Sequence, residues 1–273
     1  MSESRIAVHT TMPRHAFSAR DAARAGDVWR LFQEAAVEAS PRCGWPPMRY
    51  REEKSAFVVR SMTVRHEREA EYGEPLHALT WVSRMRREML STREIRVRSE
   101  RGAIASARQE WVYVSESLET TRAPRSLLDA FPVDPGPEGD APPELPALVA
   151  PVERPAPHVF AFRAWWTWMD PLDHVNHPQY VDFCDEAISV ALSARGLAPR
   201  DLQPVAEELT FRSPVGAGDE VRVETTARGH AEGGAAVFAH RILVGERLCV
   251  TGTTYRRLAG ESGPSRLLDA VGP

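Results

Sequence analysis

Hydrophobic residues in the second half of the chain change from the period of a strand to the period of a helix. Between Val159 and Trp168 the large aromatic residues share one face at period two, which predicts a strand lying on a core: Phe160, Phe162, Trp166 and Trp168. From Tyr180 the apolar residues follow one helical face and predict a helix over residues 178–194: Tyr180, Phe183, Cys184, Ala187, Ile188, Ala191 and Leu192. Gly196 follows, where a helix end favours a left-handed residue.

The two halves of the chain repeat one order of elements. After the helix, strand-like segments lie near residues 205–212, 219–228, 235–244 and 247–258. The first half has a strand near residues 5–10 and a helix with apolar positions Val28, Leu31, Phe32, Ala35, Ala36 and Ala39. Strand-like segments then follow near residues 56–66, 76–85, 89–98 and 103–115. One helix followed by consecutive strands, twice over, predicts an α+β fold of two related units.

A segment rich in Pro and Gly separates the two units. Residues 132–157 show no sustained period, and their composition is typical of an extended or loosely ordered chain. The predicted organisation is therefore a first unit over residues 1–131, a linker over 132–157, a second unit over 158–260 and a tail over 261–273.

A polar loop joins the predicted strand and helix of the second unit. It reads Trp168-Met169-Asp170-Pro171-Leu172-Asp173-His174-Val175-Asn176-His177-Pro178-Gln179-Tyr180. An Asp can activate water, and free N–H groups at a helix start can polarise a carbonyl oxygen or hold an anion. Pro178 suits a first helical turn, and Asn176 or His177 could cap it. This combination suits hydrolysis of an activated acyl group.

The pattern Asp170-x-x-x-His174-Val175-Asn176, followed by Tyr180, resembles the loop-to-helix motif of hotdog-fold thioesterases. The resemblance is to the 4-hydroxybenzoyl-CoA thioesterase and acyl-ACP thioesterase branches. It implies a tandem (double) hotdog, with two antiparallel sheets each wrapped on a long central helix. It also implies hydrolysis of a fatty acyl-ACP or acyl-CoA to the free acid, with the oxyanion held at the start of the second-unit helix and without a cofactor. The implied catalytic residues are Asp170, His174 and Asn176, and the implied substrate-binding residues are Val175, His177 and Tyr180.

The motif departs from the family pattern at several positions. Asp173 replaces a usual Gly, His177 replaces a usual second Asn, and Trp168 stands where many members carry a second Asp. The Glu-Cys pair of plant-type acyl-ACP thioesterases has no counterpart in residues 209–214. These departures favour an Asp-dependent mechanism, in which Asp170 either activates water or attacks directly to form an anhydride. We expect His177 to lie at the rim of the site.

The first unit lacks a matching acid. Aligning residues 31–35 with residues 183–187 places Ser18 or Ala19 opposite Asp170, so we expect the first unit to shape the acyl pocket. Its strands carry an excess of arginine: Arg84, Arg86, Arg87, Arg93, Arg96, Arg98 and Arg101. These residues could attract the phosphates of CoA or an acyl carrier protein, although alternating arginines are also typical of a solvated strand face.

Other hypotheses fit fewer residues. Metal-ligand residue types crowd this loop, but no distal ligand is obvious. Cys184 lies on the apolar helix face and is expected to be a buried, inert thiol, while Glu207 and Glu208 are expected on an exposed strand face. A non-hydrolytic acyl-binding or carrier-protein-binding protein of the same fold is the main alternative, and a hotdog dehydratase ranks below it.

Composition suggests the cellular setting. The chain is 42% hydrophobic, and no apolar run approaches the roughly 20 residues of a membrane span. Residues 1–5 lack a signal-peptide layout, and three scattered cysteines are typical of reduced thiols. We therefore expect a cytoplasmic hydrolase of lipid metabolism that acts on acyl carrier protein or CoA thioesters. We expect it to bind no nucleic acid and to be a monomer with an internal pseudo-dimer, or a homodimer.

Overall fold

The chain contains two long helices, each followed by a run of antiparallel strands. The computed structural model describes residues 4–153, 156–261 and 263–272. Its helices are α1 (Ala25–Arg42), α2 (Pro47–Glu52), α3 (Arg125–Ala130), α4 (Gln179–Ala194) and α5 (Ser265–Val271). Its strands are β1 (Arg5–Thr10), β2 (Ser55–His66), β3 (Leu76–Arg86), β4 (Leu90–Ser99), β5 (Gly102–Ser115), β6 (Leu148–Pro151), β7 (Pro157–Arg163), β8 (Leu202–Phe211), β9 (Glu220–Ala231), β10 (Ala236–Val244) and β11 (Arg247–Leu258).

The strands of both units form one antiparallel sheet. Its order is β1-β3-β4-β5-β2-β8-β11-β10-β9-β6, and β7 also pairs with β9. The α+β architecture is confirmed, but the two sheets expected from the sequence are joined where β2 pairs with β8, from Ser61↔Thr210 to Arg65↔Ala206. This pairing satisfies N–H and C=O groups that would otherwise lie unpaired at two sheet edges. Helix α1 packs on first-unit strands, α4 packs on second-unit strands, and the two helices contact each other.

A buried network of ionisable groups links the two units beside β8. Glu207 of β8 is fully buried and accepts hydrogen bonds from Trp29 Nε1 at 3.1 Å and His66 Nε2 at 2.8 Å. Arg256 of β11, also fully buried, pairs with Glu207 at 2.5 Å and with Asp185 of α4 at 2.8 Å. Burial alone would raise the pKa of Glu207, but His66 and Arg256 hold it at about 2. The prediction that Glu207 is exposed was wrong.

Helix α4 begins without a side-chain cap. It starts at Gln179 after Pro178, and no side chain caps this end, so the prediction that Asn176 or His177 is the cap was wrong. The Asn176 backbone is already used in the loop, because its N–H donates to Trp168 O and its C=O accepts from Gln179 N. At the other end Gly196 adopts a φ of 72°, as the sequence predicted.

The aromatic segment before the site is shorter as a strand than its pattern predicted. Strand β7 ends at Arg163, and Trp166–Trp168 form a short 3-10 helix. Phe162 and Trp168 pack against Phe183 of α4, whereas Trp166 is 75% exposed. The turn breaks the two-residue period, so Trp166 leaves the shared face.

The segment between the units is held by specific contacts. Asp134 pairs with Arg5 at 2.8 Å, Asp140 pairs with Arg96 at 2.7 Å, and β6 pairs with β9. Of the two states expected from its composition, extended or loosely ordered, these contacts favour the extended one for its described residues. The predicted tail likewise contains α5, which buries Leu267 and Val271 in a core with residues of α4.

Membrane crossing by a helix finds no support in the described part of the chain. None of the helices there is both long and apolar enough to span a bilayer.

Candidate active site

Backbone hydrogen bonds fix the shape of the polar loop before α4. Asp170 N donates to His174 O at 2.8 Å, and Asp173 N donates to Asp170 O at 3.0 Å. Asp173 has a φ of 58°, in the left-handed region that favours Gly and tolerates Asp. The substitution of a usual Gly by Asp at this position therefore keeps the turn.

The Asp170 carboxylate has one oxygen held and one oxygen open. Its Oδ1 accepts from Leu172 N at 2.8 Å and lies 3.4 Å from His174 Nδ1. Its Oδ2 makes no hydrogen bond to any described residue, and the side chain is only 15% exposed. The carboxylate is thus oriented by the loop while one oxygen remains available to water or substrate.

A cavity of about 600 Å³ opens beside this carboxylate. Its volume is within the range of about 300–1,000 Å³ typical of small-molecule sites. Five of the six predicted site residues line it: Asp170, His174, Val175, His177 and Tyr180. The remaining wall is largely from the first unit, including Ala36, Val37, Tyr50, Phe57, Val59, Val82, Met85, Ser91, Arg93, Trp111 and Phe131.

His177 lies between the two units rather than at the rim, so the rim prediction was wrong. Its ring packs near Trp29, Trp111 and Phe211, with ring centroids 6.5, 6.3 and 5.9 Å away. Burial, with a smaller contribution from His174, lowers the pKa of His177 to about 3. His177 is therefore neutral near pH 7 and contributes no positive charge to the site.

Two other predicted residues have structural contacts. Tyr180 OH accepts from Val215 N at 3.3 Å, while Val215 O accepts from Val175 N at 2.8 Å. These bonds fasten the loop and the start of α4 to the turn after β8.

Asn176 is outside the residues that line the cavity, and its buried Oδ1 has no hydrogen-bond partner among the described residues.

Fewer backbone N–H groups at the start of α4 are free to bind a ligand than the sequence predicted. Val175 N and Asn176 N bind backbone carbonyls, Pro178 has no N–H, and Gln179 N donates to Asn176 O. Within this stretch the N–H of His177 is the one without a hydrogen-bond partner among the described residues. It is the backbone donor that an oxyanion could use here.

The first unit contains the same loop without the acid. Ser18 N donates to Ala22 O at 2.9 Å and Asp21 N donates to Ser18 O at 3.0 Å, as Asp170 N and Asp173 N do in the second unit. Asp21 has a φ of 56°, close to that of Asp173. These matched bonds put Ser18, not Ala19 or Asp21, at the position equivalent to Asp170.

Thiol and metal chemistry find little support at the site. Cys184 is fully buried, and burial raises the pKa of its thiol well above the ordinary value, which disfavours the nucleophilic thiolate. No group of three or more His, Cys, Asp or Glu residues with metal-binding geometry occurs in the described part of the chain.

Several cavity residues were not found from the sequence. Helix α2 supplies Tyr50 and Arg51, and its one signal was Pro47 followed by residues that tolerate a helix. Arg93 was assigned to a basic surface, yet it is buried in the cavity wall. Residues 211–214 belong to the segment that lacks a Glu-Cys pair, and all four line the cavity.

Comparison with known proteins identifies the fold. Residues 164–258 match the model of the thioesterase-like superfamily. A protein from Lactobacillus plantarum assigned as an oleoyl thioesterase superposes with a TM-score of 0.78 at 15% identity, over 94% of this chain and 98% of that one. The fold is a double hotdog. The 12:0-ACP thioesterase from Umbellularia californica superposes with a TM-score of 0.75 at 15% identity, over 94% of this chain and 95% of that one.

A third double-hotdog structure gives a similar result. The acyl-ACP thioesterase from Bacteroides thetaiotaomicron superposes with a TM-score of 0.70 at 13% identity, over 93% of this chain and 98% of that one. No curated protein matches the sequence significantly. The resemblance to hotdog-fold thioesterases is confirmed, and the superfamily match includes the loop from Asp170 to Tyr180.

Proposed function

We propose that this double-hotdog protein hydrolyses an acyl thioester and that Asp170 supplies the catalytic carboxylate. The observation that carries the proposal is the Asp170 side chain, which has one oxygen fixed and the other unpartnered at the wall of a 600 Å³ cavity. The match of residues 164–258 to the thioesterase-like superfamily supports the same activity.

In the proposed reaction, Asp170 Oδ2 takes a proton from water as the water oxygen bonds to the thioester carbon. The carbon–sulfur bond then breaks, and the thiolate leaves and is protonated. Direct attack by Oδ2, followed by hydrolysis of the anhydride, gives the same products. His174 Nδ1, near Asp170 Oδ1, orients the carboxylate. The N–H of His177 and the positive end of the α4 dipole stabilise the oxyanion.

The first unit is proposed to bind the acyl group. It supplies most of the apolar cavity wall, and Ser18 in place of an acid leaves its own loop without a catalytic carboxylate. Met85 of β3 is one of the large apolar side chains of this wall.

Exposed arginines at the cavity suggest where an anionic carrier would bind. Three of the seven arginines of the predicted basic surface pair with acids, as do Arg86 with Glu110 and Arg101 with Glu71. Three arginines outside that predicted surface are exposed, line the cavity and form no ion pair within the described part of the chain: Arg51, Arg60 and Arg212. We propose that they attract the phosphates of CoA or of an acyl carrier protein.

The double variant Arg60→Glu/Arg212→Glu is expected to raise KM for acyl-CoA about tenfold or more, because the new negative charges repel the anionic carrier. We expect kcat to change little, since these side chains do not act on the reacting carbon. Steady-state kinetics at several salt concentrations would measure this, and the difference should shrink as salt rises. Arg84→Glu, an exposed arginine that does not line the cavity, is the matched control. Equal effects of the double variant and of Arg84→Glu would contradict the proposed binding of the carrier at Arg60 and Arg212.

A measurement of turnover distinguishes a thioester hydrolase from a protein that only binds acyl groups. A panel of acyl-CoA and acyl-ACP thioesters, assayed by release of free thiol, is expected to give catalytic turnover on at least one carrier. Binding of the same thioesters without thiol release above the uncatalysed rate would instead establish the non-hydrolytic alternative.

A further inference from the structure

Arg93 places a positive charge in the wall of an otherwise apolar part of the cavity. It lies on β4, is 8% exposed, and lines the cavity together with Val82, Met85 and Phe131. Its Nη1 donates to Thr80 Oγ1 at 3.1 Å, and its guanidinium lies 5.7 Å from the centre of the Phe131 ring.

No carboxylate compensates this charge within the described residues. No Asp or Glu there lies within ion-pair distance of Arg93, although neighbouring Arg96 and Arg108 both pair with Glu94. The titratable groups that act on Arg93 are Tyr50 and Cys43. Burial raises the pKa of Tyr50 to about 12, so its phenol is not an anion near pH 7.

A buried charge without a carboxylate partner is unfavourable for folding. Buried charged groups are normally paired, and an arginine side chain stays protonated in proteins. Burial lowers the pKa of Arg93 below its ordinary value, yet the guanidinium remains cationic. An acidic ligand group entering the cavity would supply the missing partner.

Arg93 also lies far from the reacting end of the cavity. Strand β4 is three strands away from β8 in the order β4-β5-β2-β8, and the residues that follow β8 line the cavity beside Asp170. Neighbouring strands are roughly 4.8 Å apart, so β4 and β8 are about 14 Å apart measured from strand to strand along the sheet. A group bound by Arg93 would therefore be at the far end of the acyl chain.

We infer that Arg93 binds a carboxylate at the distal end of the acyl chain, so that the preferred substrates are thioesters of dicarboxylic acids. The inference rests on the proposed thioester hydrolysis and names its substrate class. Arg93 then determines specificity, because a methyl-ended chain of the same length leaves the guanidinium desolvated and unpaired.

Matched CoA thioesters test this inference. For each of several chain lengths, one member ends in a methyl group and the other in a carboxylate. The wild-type protein is expected to favour the carboxylate member by about 10- to 100-fold in kcat/KM, the effect of one charged hydrogen-bonded pair. An optimum chain length is also expected, since both ends are bound at fixed positions. Arg93→Met should abolish or reverse the preference, whereas Arg98→Met, an exposed arginine on the same strand, should preserve it.

Thermal stabilisation by the free acids provides a measurement independent of turnover. Dicarboxylic acids should raise the Tm of the wild-type protein more than monocarboxylic acids of equal length, and Arg93→Met should lose this difference. If Arg93→Met does not fold, the comparison of dicarboxylic with monocarboxylic acids on the wild-type protein tests the inference by itself. Preference for methyl-ended chains in both measurements would overturn the inference while leaving thioester hydrolysis intact. Absence of all hydrolysis, with selective stabilisation by dicarboxylic acids, would remove the proposed function but keep the carboxylate site.

Discussion

Replacing Asp170 with Asn is expected to lower kcat for thioester hydrolysis by about 10²–10⁴-fold, the usual contribution of a general base. Asn keeps the shape of the side chain, and its oxygen can still accept from Leu172 N, so the loop and the Tm should be preserved. Its amide neither takes a proton from water nor attacks the thioester. Thiol release under saturating substrate, alongside circular dichroism and thermal melting, would measure both properties.

The first unit offers a matched control for this substitution. Ser18 occupies the equivalent position in a loop of the same hydrogen-bonded shape, so Ser18→Asn should leave turnover within a few-fold of wild type. An Asp170→Asn protein that folds normally and retains more than a tenth of wild-type turnover would contradict the assigned role.

Replacing Arg256 with Met is expected to lower the free energy of unfolding by about 3–5 kcal/mol, the range for breaking a buried ion pair on one side. The change leaves Asp185 without its 2.8 Å partner. Among the described residues, Glu207 then keeps only His66 and Trp29 as side-chain hydrogen-bond partners. The burial of Glu207 makes an uncompensated carboxylate unfavourable there. Chemical denaturation with urea would measure the loss.

Two further variants show whether the charge network causes the loss. Arg257→Met alters an exposed neighbour on the same strand and should change stability by no more than about 0.5 kcal/mol. Adding Glu207→Gln to Arg256→Met should recover part of the lost stability, since it removes one of the two stranded negative charges. Additive effects of the two substitutions would indicate that lost packing, rather than unpaired charge, is the cause.

Strong local periodicity and a compact motif account for what the sequence could predict. The apolar face of α4 and the strands of both units follow from side-chain spacing, which the backbone geometry of each element sets directly. The loop containing Asp170, His174 and Val175 was recognisable because its residues are adjacent in sequence. The grouping of these residues in one loop is thus a short-range property, whereas the cavity beside them needs the first unit as well.

Long-range packing decided what the sequence could not predict. Only Arg96 and Arg98 of β4 follow the two-residue period of a solvated face. Arg93 lies three residues before Arg96, and it is covered because Phe131 packs near its guanidinium. Glu207 is hidden because β2 pairs with β8 and α1 lies over the junction. Such burial depends on contacts between residues distant in sequence, and no local pattern records them.

The matched loops around Ser18 and Asp170 bear on how the protein could have evolved. In a symmetric homodimer one gene encodes both loops, so any substitution alters two sites at once. Fusion of the two units in one chain removes that constraint. Because backbone hydrogen bonds hold each loop, the carboxylate could be lost from one copy while its conformation persisted. Gene duplication would then have allowed one copy to diverge towards ligand selection while the other retained the ancestral chemistry.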